Sequence, residues 1–146
     1  ARTQVKRELT KQTGLKPAVI QRALKVKRPS YTSLTYTIES EGGDISLKYF
    51  SPRETKKGVV AKPFGKATAY PGAFLRGGKW PDRGRKVFHG HVFARTSDKR
   101  FPIEMQKSHV IIPDEMLKGA TAAAFDKVTA EQLPKRFEHE LNRLLK

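Results

Sequence analysis

Hydrophobic residues change their spacing twice along this chain, and that change constrains the fold more than any single motif. Before Ser30 and after Ile112 apolar side chains recur at helical intervals; between them they alternate at every second position. Helical ends around a strand-like middle read as an α+β fold. The 146 residues suit one domain, 1–146, built from a helical hairpin (1–28), a β-rich core with a central antiparallel sheet (30–112) and an amphipathic C-terminal helix (113–146). The chain begins at Ala1, without an initiator Met and already inside helical spacing, which raises the expectation that an upstream N-terminal helix is missing.

Val5 and Leu9 place a narrow apolar stripe on a basic first helix. Gly14 is a stop signal suited to the left-handed C-cap, with Leu15 folding back beside it. Pro17 opens a second helix whose face is Val19, Ile20, Ala23 and Leu24, and Arg28-Pro29 ends it. Two readings stay open for this pair. It is a helix-turn-helix with Gln21, Arg22 and Lys25 reaching bases, or a plain helical hairpin with solvated charges. At the other end, Pro113, Asp114 and Glu115 suit a helix start. Met116, Leu117, Ala120, Ala124 and Val128 lead into Leu133, Phe137, Leu141 and Leu144, the clearest helical stripe in the sequence. Pro134 is expected to kink or divide this helix, with Thr129 and Gln132 capping the new start. The stripe is expected to pack into the core, where four large side chains contribute about 6–12 kcal/mol before entropy.

In the middle, Leu34, Tyr36 and Ile38 alternate with polar residues as a half-buried strand. Glu41-Gly42-Gly43-Asp44 turns it back into Ile45, Leu47 and Tyr49. Arg53 to Lys62 reads as an edge strand or loop guarded by lysines. Tyr70-Pro71-Gly72-Ala73-Phe74-Leu75 reads as a structural corner: Pro71 fixes φ, Gly72 permits positive φ, and the chain continues as a strand. Gly77 to Lys86 is a Gly-rich basic loop. It lacks the Gly-Lys-Ser/Thr ending of a phosphate loop and reads as a hairpin connection. Val87 to Ala94 is a further strand, on which His89 and His91 share a face, either as tolerated strand histidines or as the start of a metal site. Arg95 to Arg100 turns into Phe101-Pro102-Ile103-Glu104-Met105.

Thirty Lys and Arg against 14 Asp and Glu give a net charge of +16, which draws the chain toward polyanions or acidic protein surfaces. The candidate contacts for DNA or an acidic partner are Arg22, Lys25, Lys27, Arg28, Arg53, Lys56, Lys57, Arg76, Lys79, Arg83, Arg85 and Lys86. The chain has no Cys, so disulfides and thiolate metal sites are excluded. No apolar run approaches the ~18 residues of a membrane helix, and a soluble protein is expected. Catalytic and cofactor motifs are absent, and Asp82, Asp98 and Glu104 are the only mid-chain carboxylates that would serve a Mg²⁺-dependent nuclease. A binding or assembly role is expected, with no enzyme activity, cofactor or metal. The alternative is a specific or non-specific nucleic-acid-binding protein using the basic N-terminal hairpin.

Several motifs in order carry a resemblance. They are Leu15-Lys16-Pro17-Ala18-Val19-Ile20, Tyr70-Pro71-Gly72-Ala73-Phe74, the Gly/Lys/Trp loop before Val87, Arg100-Phe101-Pro102-Ile103, Ile112-Pro113 and Glu131-Gln132-Leu133-Pro134-Lys135. With these, the chain resembles the minor tail protein Z family of tailed phages and prophages, the tail-completion proteins of long-tailed virions. The resemblance implies a small α+β subunit of a homo-oligomeric ring, expected to be hexameric, at the head–tail junction. Its partners would be the tail terminator, head-completion proteins and genomic DNA in the lumen, with assembly in the host cytoplasm and no membrane. It also marks Tyr70, Pro71, Gly72, Phe74, Phe101 and Pro102 as the structural corner presented to, or packed behind, a ring neighbour. The family's usual additional N-terminal helix has no counterpart here.

Overall fold

Val5 and Leu9, one helical turn apart, fix the first helix against the interior. In a computed structural model that describes residues 1–30, 32–33, 35–78, 84 and 88–145, both are fully buried in α1 (Arg2–Thr13). Gly14 ends α1 at φ 74°, its N–H donating to Thr10 O. A side chain there would strike the turn at Pro63–Gly65, since a Cβ would lie 2.6 Å from Gly65 N. The residue therefore serves both the cap and the close approach. Leu15 is buried beside it, and Pro17 opens α2 (Pro17–Ala23) as its spacing predicts.

The second helix is shorter than its apolar face implies. It stops at Ala23, and Leu24–Lys27 forms β1, paired antiparallel with β2 (Thr37–Ser40) through Leu24↔Ser40 and Val26↔Ile38. Leu-Lys-Val-Lys alternates as cleanly as a strand, and backbone pairing with β2 wins over one more helical turn. The expected hairpin across Glu41–Asp44 is thereby corrected. The partner of β2 precedes it in sequence, and Leu47–Phe50 forms a short 3₁₀ turn with Leu47 and Phe50 buried. The expected strand position Leu34 lies outside the described residues.

Arg53 to Lys62 is neither a lone edge strand nor a loop. It folds as a hairpin of β3 (Arg53–Thr55) and β4 (Gly58–Ala61), with β4 central in the order β3-β4-β5 and β5 spanning Thr68–Pro71. Val59 and Ala61 are buried because a central strand offers its apolar residues to the core. β6 (Phe93–Arg95) pairs with β7 (Ile103–Met105), giving three small antiparallel sheets among the described residues. His89 does not share a strand face with His91: it sits in a turn at φ 48°, four residues before Phe93 opens β6, and His91 also precedes the strand.

The C-terminal unit corrects two expectations. It breaks after α3 (Ile112–Met116), not at Pro134, and α4 runs unbroken from Gly119 to Leu144 through Pro134. Thr129 caps nothing, because its hydroxyl donates back to Phe125 O at 2.8 Å inside the helix. The stripe is not core either: Leu133 and Phe137 are each 66% exposed and Leu141 is 41% exposed. The Leu144 side chain lies outside the described set. The core lies instead where α1, α2 and α3 cover the sheets, around Leu9, Ile20, Leu47, Val59, Val92 and Val110.

A polar clamp sets the course of α4. Thr121, fully buried, donates to Gln12 Oε1 at 3.0 Å, and Gln12 Nε2 donates to Glu115 O and Oε2 at 3.1 and 2.6 Å. This joins α1, α3 and α4 through one side chain, and buried groups satisfied in this way hold a single geometry. Beyond it, every described side chain from Ala130 to Arg143 is exposed. At 1.5 Å per residue the exposed stretch is about 20 Å long.

Candidate functional site

The corner at Tyr70 is a turn of type II pattern. Pro71 and Gly72 occupy its two central positions, Gly72 at φ 70°, and Ala73 N–H donates to Tyr70 O at 3.3 Å. Its seat on the molecule is less legible. Gly72 N–H donates to Lys57 O at 3.1 Å, and a Cβ on Gly58 would lie 2.2 Å from Tyr70 O. The corner therefore rests on the bare backbone of Gly58 in β4, a requirement that only the strand register reveals.

Past the corner the described residues form isolated bridges in place of the expected strand, and one of them, the antiparallel bridge Phe74↔Phe93, joins the second sheet to the third. Phe74 is buried, its ring edge-on to Phe88 at 5.4 Å, with the Arg95 guanidinium 5.2 Å from its centroid. Tyr70 is half-buried; burial, then the Asp44 charge, raises its phenol above the usual range. Pro71 and Gly72 are exposed. Phe101 and Pro102 do not join this cluster: they lie exposed before β7, Phe101 at 62%, under Arg100.

The candidate cations divide into groups. Arg22, Lys25, Lys27 and Arg28 run along α2 and β1. Lys25 pairs with Glu41 at 2.7 Å and Lys27 with Glu39 at 2.6 Å, so two of the four are engaged within the chain. The hydrogen bond to Glu41 raises Lys25 above its ordinary pKa, and the same bond lowers Glu41. Gln21 and Arg22 lie on α2, which has seven residues, and Lys25 belongs to β1, so the three do not share one helix. Arg53, Lys56 and Lys57 lie on β3 and its hairpin turn. Arg76 follows the corner and, with Lys48 and His89, lines a cavity of about 460 Å³. Lys79, Arg83, Arg85 and Lys86 lie outside the described residues, as does Asp82; Asp98 and Glu104 are exposed and, among the described residues, belong to no group of three placed to hold a metal.

His91 accepts or donates through Nδ1 to Ser46 Oγ at 2.9 Å. Burial, then Lys48 and His89, hold its pKa below the ordinary histidine value. Ser46 Oγ also accepts from Lys48 N at the start of the 3₁₀ turn, which gives the pair a local structural role. Among the described residues no group of three His, Cys, Asp or Glu side chains is placed to hold a metal, and no helix is long and apolar enough to cross a membrane.

The feature that sequence reasoning misjudged is the far end of α4. About 3.6 residues per turn place Phe137 some 160–180° around the axis from Thr121 and Val128. Thr121 is buried and Val128 half-buried, so Leu133, Phe137 and Leu141 face away from the side by which α4 joins the body. Charge separates the same way. Residues 1–111 hold 24 Lys and Arg against eight Asp and Glu, whereas residues 112–146 hold six against six. The net charge belongs to the body, and the helical tail is neutral. Comparison with protein-family models, curated proteins and solved structures finds no match to the chain.

Proposed function

We propose that this protein is a structural subunit of a phage or prophage virion, a tail-completion protein that forms a ring at the head–tail junction. In this reading it joins the tail terminator to head-completion proteins around the DNA channel and acts by assembly, without catalysis. The ordered motifs from Leu15 to Lys135 supply the class. The single observation that carries an assembly role is the exposed stripe Leu133–Phe137–Leu141 on a helix end whose described side chains are all exposed. Large apolar side chains set in a row on a projecting helix mark an interaction surface. The excess cations of residues 1–111 then serve acidic neighbouring proteins and the phosphates of DNA in the lumen.

Electron microscopy and native mass measurement of the protein alone and with tail tubes test the reading. A closed ring that caps tubes, and virions that need the protein for completed tails, is the expected result. A strict monomer in every condition, with tails complete in its absence, overturns it. Specific DNA binding with a specificity ratio of about 10³ or more in gel-shift competition would replace it with the nucleic-acid reading.

A further inference from the structure

We infer that the exposed half of α4 seats in a groove on a neighbouring copy of the same chain, making a head-to-tail contact. The inference rests on the assembly reading above and specifies its geometry. The groove is an apolar cleft of about 280 Å³ between α1, β2 and the α3–α4 junction, with Val5, Tyr36, Ile38, Met116, Leu117 and Phe125 in its lining. Two of these are themselves exposed, Tyr36 at 38% and Leu117 at 77%.

Among the described residues the chain thus carries two exposed apolar surfaces of opposite shape, a ridge and a groove. They cannot meet within one molecule. Ala122, Phe125 and Asp126 of α4 form one wall of the groove, and the same continuous helix carries Phe137 about 18 Å farther along its axis. The Thr121–Gln12–Glu115 clamp fixes the angle at which it leaves.

Charge selects the second copy as occupant. Contact between two bodies of 24 cations and eight anions is repulsive, whereas the exposed stretch 130–144, with three Lys and Arg against three Glu, approaches such a body without net repulsion. Pairing of two α4 ends would also be neutral, but it closes as a twofold dimer and leaves both grooves open. A ridge in a groove uses unlike surfaces, and such contacts propagate around a ring.

The absence of Cys makes the test clean. One preparation carries Phe137→Cys, another Tyr36→Cys, with Leu117→Cys as a second groove position should Tyr36→Cys fail to fold. They are mixed under mild oxidation and separated without reductant. The expected result is a mixed disulfide about tenfold more abundant than either self-paired product. Phe137→Asp in the full chain should abolish association in native mass measurement while the far-ultraviolet circular dichroism stays unchanged. Dominant Phe137–Phe137 pairing overturns the proposal in favour of a twofold contact, and a chain monomeric throughout overturns it too. Rings that form without the mixed disulfide, and survive Phe137→Asp, overturn the groove but leave the assembly reading. A mixed disulfide from a protein that tails do not require keeps the groove and sinks the virion role.

Discussion

Phe74 and Phe93 exchange both backbone hydrogen bonds across one antiparallel bridge, at 2.8 and 3.0 Å. The bridge joins the three-stranded sheet to the β6–β7 pair, and the Phe88 ring packs edge-on to Phe74 at 5.4 Å and tilted to Phe93 at 4.9 Å. The corner at Pro71-Gly72 aims the chain into this joint.

Phe74→Ala should therefore weaken the fold by about 3–5 kcal/mol, the range for emptying a buried aromatic site. Chemical denaturation followed by tryptophan or circular dichroism measures it. A loss below about 1 kcal/mol would place Phe74 at a surface that another molecule covers.

The two glycines at the corner should differ. Gly72 has positive φ but open space around it, so Gly72→Ala costs only the left-handed strain of about 1–2 kcal/mol. Gly58→Ala combines φ 147° with a Cβ 2.2 Å from Tyr70 O, and should cost more than Gly72→Ala by separating β4 from β5. Thermal melts of the two variants rank them, and equal melting temperatures would contradict the packing described.

Stability should fall as the solution is acidified. His91 has a folded pKa below its unfolded value, so the unfolded chain binds the extra proton. The His91 contribution is full above the ordinary histidine pKa near 6.5 and is lost as pH drops through the lower folded value. His91→Gln should flatten this part of the pH profile, and an unchanged profile would assign the slope to other groups.

Salt should separate self-association from nucleic-acid binding. Screening weakens repulsion between the cationic bodies, so added salt should promote ring formation through neutral α4. Binding to DNA should weaken with salt, because it releases counterions. Sedimentation and filter binding across ionic strength read the two slopes, and self-association that weakens with salt would point to an ion-paired contact.

The spacing of apolar residues was enough to place helices at both ends and strands between them, and Gly14, Pro17 and Pro71-Gly72 gave three turns their local chemistry. These features were legible because each depends on φ limits or periodicity within a few residues. Leu24–Lys27 was not, since Leu-Lys-Val-Lys satisfies a helix face and a strand face equally, and the partner Thr37–Ser40 decided between them. Gly58 was missed because its reason is the carbonyl of Tyr70, on another strand.

The sequence by itself determined that Leu133, Phe137 and Leu141 share a side of one helix. An apolar stripe states that a surface is to be covered, because water is a poor solvent for it. It does not state by what. Only the tertiary structure decided that, once the Gln12 clamp turned α4 so that Thr121 and Val128 face the body and the stripe faces away.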